Sequence, residues 1–228
     1  MIGIGWVVND GCAPKQKAGG PDEFARSLAD LTSAPAGHRD DCPTCRLLNE
    51  DLACVGILTA PIATHAEEWL AARLPAKLES LPGLLLTRQL LAGNIKGTGT
   101  RALRKLCLFE APGPFVRHWG PFFRRITITT DQILEEMFMA GDVQPAHALG
   151  LLVHLGGIAV DGAVPDQPAD GARLAEVIER VDARRDRTRS TVVIDQEDTS
   201  SVLELKRFLR ALYAGFVEDC EVKVYSPG

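Results

Sequence analysis

Hydrophobic and polar positions along the chain predict a string of short elements. Residues 1–8 alternate isoleucine and glycine before Trp6, Val7 and Val8, which predicts a short opening strand. Phe24, Leu28 and Leu31 then recur at helical spacing, with Asp22 placed to cap the helix they define. Thr64 and Glu67 match the S/T-x-x-E capping box. They predict a helix through Trp69, Leu70 and Leu74 that stops before Pro75. An apolar run over 84–91 predicts a helix ended by Gly93, and 102–109 predicts another. Residues 126–129 alternate isoleucine and threonine as a strand does, and Thr129 with Gln132 caps a following helix to Met139.

Further along, Pro145 opens a helix through Leu155, stopped by Gly156 and Gly157. Leu174, Val177, Ile178 and Val181 share one face of a helix predicted over 172–185. The β-branched run 191–194, a long helix capped by Ser201 and Glu204, and the alternating segment 221–225 complete the pattern. Together these predict an α+β fold, predominantly helical with short strands. It has an irregular Cys-rich N-terminal segment and a C-terminal strand–helix–strand unit. The expected organisation is a Cys-rich metal-binding segment over 1–60 and an α+β globular body over 61–228, integrated as one domain.

Composition narrows the function. Of 228 residues, 46% are hydrophobic and the formal net charge is −5, which supports a sizeable core and excludes wholesale disorder. Mild acidity argues against a protein that coats nucleic acid by bulk charge. No apolar run reaches the ~18 residues of a membrane span, and residues 1–8 lack a basic signal-peptide start. The expectation is a cytoplasmic, soluble protein without a membrane partner. No internal repeat is visible.

Cysteine placement carries the chemistry. Cys12, Cys42, Cys45 and Cys54 follow the spacing C-x29-C-x2-C-x8-C, whereas Cys107 and Cys220 stand apart and read as packed thiols. In a reducing compartment four clustered thiols point to a metal rather than to disulfides. The Gly-Cys-Ala-Pro around Cys12 and Pro43 after Cys42 keep those loops irregular, so that sulfurs can converge. His38, Arg39, Asp40 and Asp41 beside the pair are too polar for a simple core segment. A zinc ribbon has two C-x2-C knuckles and this chain has one, so the spacing favours a [4Fe–4S] cluster, with zinc as the alternative. Cys-Pro-Thr-Cys also matches a thiol oxidoreductase motif, but no buried strand is predicted ahead of it.

A second feature is a charge asymmetry. Residues 93–125 carry seven basic side chains against Glu110 alone, and 126–182 carry ten acids against two arginines. The Gly-rich loop 93–100 leads toward a helix, an arrangement that can receive phosphate. Lys96, Arg101, Arg104, Arg124 and Arg125 are therefore candidate anion-binding residues, with His118 a candidate proton donor or acceptor. Phe115, Trp119, Phe122 and Phe123 interleave with those cations, as in single-strand nucleic-acid binders. His147 and His154 share a helix face but stand two turns apart.

The leading expectation is an intracellular four-Cys metalloprotein, accessory, redox or regulatory, with a protein redox partner. The alternative is an enzyme or binding module that acts on a phosphorylated ligand, or on nucleic acid, through 93–125 with a structural zinc.

Overall fold

The computed structural model describes residues 3–28, 37–78, 80–119, 126–158, 179 and 189–225. In chain order the elements are strand β1 (Gly3–Val8), helices α1 (Ala13–Lys17), α2 (Pro21–Leu28), α3 (His38–Asp41) and α4 (Pro43–Leu48), and strand β2 (Val55–Thr59). Helices α5 (Thr64–Arg73), α6 (Leu81–Ala92) and α7 (Thr98–Arg104) precede strands β3 (Val116–Trp119) and β4 (Ile126–Thr129). Helices α8 (Thr130–Phe138), α9 (Pro145–His154) and α10 (Ser200–Val217) and strand β5 (Val222–Tyr225) complete the series. The fold is α+β: short antiparallel sheets among predominant helices. Among the described residues, no helix is long and apolar enough to cross a membrane. The helix predicted over 172–185 and the position Leu31 lie outside the described residues.

The chain divides into two compact units. The first comprises Met1–Ala60, Gly141–Leu149 and Val192–Gly228, and the second Pro61–Ala140 and Gly150–Thr191.

The first unit is built on the sheet β2-β1-β5, with both pairings antiparallel. Residues at alternate β1 positions face opposite sides. Trp6 points to the side of α10 and meets Phe208 edge-on at 5.3 Å between ring centres. Helix α10 buries Leu205, Phe208, Leu209, Leu212 and Phe216. Its apolar stripe is the main core surface of this unit. Opposite Trp6 in the ladder stands Gly56, and a Cβ there would run into the Trp6 ring. Glycine lets the indole lie flat across β2. Gly56→Ala is expected to destabilise the first unit by about 1–3 kcal/mol, the usual cost of overpacking a filled core. Urea unfolding with unchanged m-value would measure it.

The C-terminal strand–helix–strand unit is corrected in one element. Residues 191–194 form no strand, and Val193 is 72% exposed. The run leads straight into a side-chain-locked turn. Asp195 N–H donates to Asp198 at 2.7 Å and Glu197 N–H donates to Asp195 at 3.2 Å. Lys206 takes both oxygens of Asp198, at 2.5 and 2.7 Å, so this acidic turn carries its own cation. After α10 the chain adds β5 to β1 in antiparallel sense, where a βαβ unit would pair parallel strands. The Ser201–Glu204 cap is also absent. Thr199 is the N-cap, with no side-chain capping bond to the helix, and Glu204 instead binds Thr59 N–H at 2.8 Å and its hydroxyl at 2.7 Å. That bond closes part of the outer edge of β2.

In the second unit, β3 and β4 form an antiparallel pair, and the Thr129–Gln132 capping box opens α8 as its spacing predicts. Helix α6 is N-capped by Ser80 and ends at Gly93. The predicted box at Thr64 is replaced by another use of the same acid. Ala63 is the N-cap, without a side-chain bond, and Glu67 is fully buried and paired with Arg104. A buried cation draws the carboxylate away from the helix end. Helix α7 starts earlier than predicted, at Thr98, and the chain leaves it before Cys107, whose φ is +57°.

Candidate metal centre

Cys12, Cys42, Cys45 and Cys54 are set by four tight turns of the chain. Gly11 (φ +63°) turns the chain after β1 and leaves Cys12 as the N-cap of α1. Gly37 (φ +77°) opens α3, and Cys42 in extended conformation both ends α3 and caps α4, with Pro43 at the first helical position. Cys45 therefore lies one turn inside α4, on the side of Cys42. Helix α4 closes at Asn49 (φ +52°), with Asn49 N–H bonded to Arg46 and Glu50 N–H bonded to Cys45. Leu52 (φ +58°) turns the chain again into β2. Cys54 is fixed to β1 because Val8 N–H donates to its carbonyl at 2.7 Å.

These reversals bring His38, Cys42, Cys45 and Cys54 together. One ligand atom from each lies within 4.8 Å of all the others. The three cysteines are 0% exposed and His38 is 1% exposed. His38 Nε2 is 3.2 Å from Cys54 Sγ, and its ring stacks on Phe24 of α2 at 5.3 Å and 14°. His38 Nδ1 is buried and has no hydrogen-bond partner among the described residues. A Cys3His set of soft and borderline donors, converged in a dry pocket, can hold a metal ion.

Cys12 stands in an adjoining group. Its Sγ, Cys42 Sγ and an Asp10 oxygen also lie within 4.8 Å of one another. Asp10 is the hub. It accepts from Cys42 Sγ at 3.1 Å, from Thr44 N–H at 3.3 Å and from Lys15 Nζ at 2.5 Å. Lys15 is 1% exposed and also donates to the Val8 carbonyl at 2.6 Å. Burial opposes the Lys15 charge, but the neighbouring Cys54 and Asp10 outweigh it and raise its pKa.

The thiols share their protons unequally. Hydrogen bonds from Cys42 and Cys54 pull Cys45 down to about 3. The bond to Cys45 pushes Cys42 up, yet bonds from Cys54 and His38 leave it below the usual thiol range. Bonds to Cys42 and Cys45, with burial, push Cys54 well up. Burial lifts Cys12 to about 12. A nest of this kind favours thiolates at Cys45 and Cys42, while Cys54 and Cys12 resist deprotonation without a cation.

No protein-family model matches the chain, and no curated protein or solved structure is significantly similar to it. Function therefore has to be argued from the site itself.

Of the candidate anion-binding residues in the second unit, Arg104 and Arg101 both face an acid, Asp131. The Arg104 side chain, 8% exposed, lies between Glu67 and Asp131, bonding Glu67 Oε1 at 2.9 Å and Asp131 at 2.7 Å. Arg101 donates to the Lys96 carbonyl at 2.6 Å and approaches Asp131 at 3.8 Å, and Lys96 is exposed. The Gly-rich loop is turned toward acids. Gly99 N–H donates to Glu135 at 2.7 Å, and Gly97 (φ +71°) leaves no room for a Cβ against Asp131. Arg124 and Arg125 lie outside the described residues. His118 bonds Thr127 across the β3–β4 pair at 3.1 Å.

Sequence reasoning took His38 only as a polar neighbour, although H-x3-C-x2-C was legible as a ligand spacing. Asp10 and Lys15 carried no signal, because single charged residues in a loop are common. A cavity of about 960 Å³ also lies in the first unit, near Trp6 and Tyr225. Its charged groups largely pair with each other, Arg210 with Glu50 at 2.5 Å and Lys223 with Asp22 at 3.5 Å.

Proposed function

We propose that the first unit is a zinc-clamped module in which His38, Cys42, Cys45 and Cys54 hold one tetrahedral ion. The observation that carries this reading is the close convergence of four ligand atoms within 4.8 Å. Zinc–sulfur bonds of ~2.3 Å at tetrahedral angles put sulfurs about 3.8 Å apart, the same scale. A [4Fe–4S] cube puts each terminal ligand on a different iron, so its ligands stand a whole cluster apart. The ion would join α3, α4 and the start of β2, segments too short to hold themselves in place. With four protein ligands it has no open position, so its role is structural, in an accessory or regulatory protein.

A [4Fe–4S] cluster is the second reading. It is favoured by Cys12, whose sulfur stands near Cys42 as a fourth thiolate in place of the imidazole. Anaerobic purification followed by metal, sulfide and visible-absorption analysis separates the two. The expected result is a colourless protein with zinc and no sulfide. A brown protein with about four irons per chain and matching sulfide would replace zinc by the cluster.

A further inference from the structure

We infer that the nest holds two divalent ions, with Cys42 as a bridging thiolate and Asp10 and Cys12 as ligands of the second. This rests on the Cys3His reading and extends it. The two candidate ligand groups share a single residue, Cys42. A thiolate sulfur has lone pairs enough to bind two ions, and that shared position makes Cys42 the bridge.

The case for the second ion is electrostatic. Asp10 and Cys42 meet at 3.1 Å, with Asp10 almost wholly buried. Once the first ion binds Cys42 and its thiol proton is released to solvent, that contact sets a carboxylate against a thiolate in a dry pocket. Lys15 offsets only one of these charges, with its ammonium on the other carboxylate oxygen, Oδ1, at 2.5 Å. Asp10 Oδ2 is left facing sulfur, with Thr44 N–H at 3.3 Å as its other donor.

Charge balance points the same way. Four thiolates and Asp10 contribute five negative charges, and Lys15 contributes one positive charge. With His38 neutral, two divalent ions bring the buried nest to neutrality. One ion bound by three thiolates, with Cys12 as a thiol, leaves it anionic. Uncompensated buried charge is costly, so the neutral assembly is preferred. The first ion has four protein ligands and the second has three: Asp10, Cys12 and bridging Cys42. The second is therefore the coordinatively open one.

The test uses the full-length protein, zinc for stoichiometry and cobalt(II) as the optical probe. Native mass spectrometry should show two zinc ions per chain in the wild type. Asp10→Asn and Cys12→Ser should each hold one, with the fold retained by circular dichroism. In a cobalt titration, thiolate-to-cobalt charge-transfer bands should keep growing to two equivalents in the wild type and stop at one in both variants. One ion per chain in wild type and variants alike overturns the second site and leaves the Cys3His site standing. Iron with sulfide, or no bound metal, overturns the Cys3His reading itself. If either variant fails to fold, the wild-type stoichiometry and cobalt end point still decide.

Discussion

Cys45→Ser is expected to abolish stoichiometric metal and to remove the cooperative unfolding transition of the first unit. Cys45 is wholly buried and is the thiol that its neighbours most readily ionise, so it is the first anchor for an incoming cation. Structural zinc contributes about 10–16 kcal/mol to finger peptides. An entire domain has only ~5–15 kcal/mol of net stability. Loss of the ion therefore removes as much free energy as the unit has to spare. The metal-free nest also keeps Lys15 and Asp10 in the interior, a pair that is weak evidence for stability by itself. A high-affinity chelator should do to the wild type what Cys45→Ser does by mutation. Cys107→Ser should change neither metal content nor unfolding, because Cys107 is exposed and belongs to the second unit. Metal analysis together with denaturant unfolding checks all of these. Metal retained by Cys45→Ser at wild-type stoichiometry and stability would remove the site from these residues.

Acid should act in the same direction. Binding replaces protons on the thiols, so the ion's contribution is present while the ligands are thiolates and is lost as pH falls and protons compete. Cooperative unfolding on acidification, accompanied by metal release, is the expected course.

What was legible in the sequence follows from the range of the physics involved. Cys42, Cys45 and Cys54 fall in one short stretch, and their convergence depends on local turns that Pro43, Asn49 and the helix end announce. The Thr129–Gln132 box was equally readable because capping is a three-residue event. The boxes at Thr64 and Ser201 had the same local signature, yet long-range partners claimed their acids, Arg104 for Glu67 and Thr59 for Glu204. Local pattern gives no warning when a buried cation or a sheet edge competes for a carboxylate. His38 was missed for a related reason. Its neighbours Arg39, Asp40 and Asp41 face solvent, whereas the ring turns inward onto Phe24 and Cys54. The run 191–194 had strand composition, but among the described residues no strand pairs with it, and β-propensity without a ladder does not make a strand.

Arg104→Met is expected to be the most damaging single change in the second unit. The guanidinium spans Glu67 and Asp131, bonds the Ala111 carbonyl at 3.2 Å and lies over Phe109 at 4.3 Å. Burial opposes its charge, but the two carboxylates outweigh that and raise its pKa, so the cation is held firmly. Both carboxylate side chains are 0% exposed, and Thr130 gives Glu67 one further hydrogen bond, at 2.9 Å. A methionine fills much the same volume and leaves two buried acids facing each other. Breaking such a pair from one side costs about 3–5 kcal/mol. At ~2–4 °C per kcal/mol for a chain of this size, that is a fall in Tm of roughly 6–20 °C. Arg104→Lys should recover little, because an ammonium cannot reproduce a fork that bonds both acids at once. Arg101→Gln supplies the contrast. Arg101 is 59% exposed and stands 3.8 Å from Asp131, so its loss should stay within about 0.5 kcal/mol. Calorimetry on the three variants measures the difference. If Arg104→Met and Arg101→Gln cost the same, the triad is not what holds α5, α7 and α8 together, and Arg104 becomes a surplus cation whose place beside the Gly-rich loop needs another account.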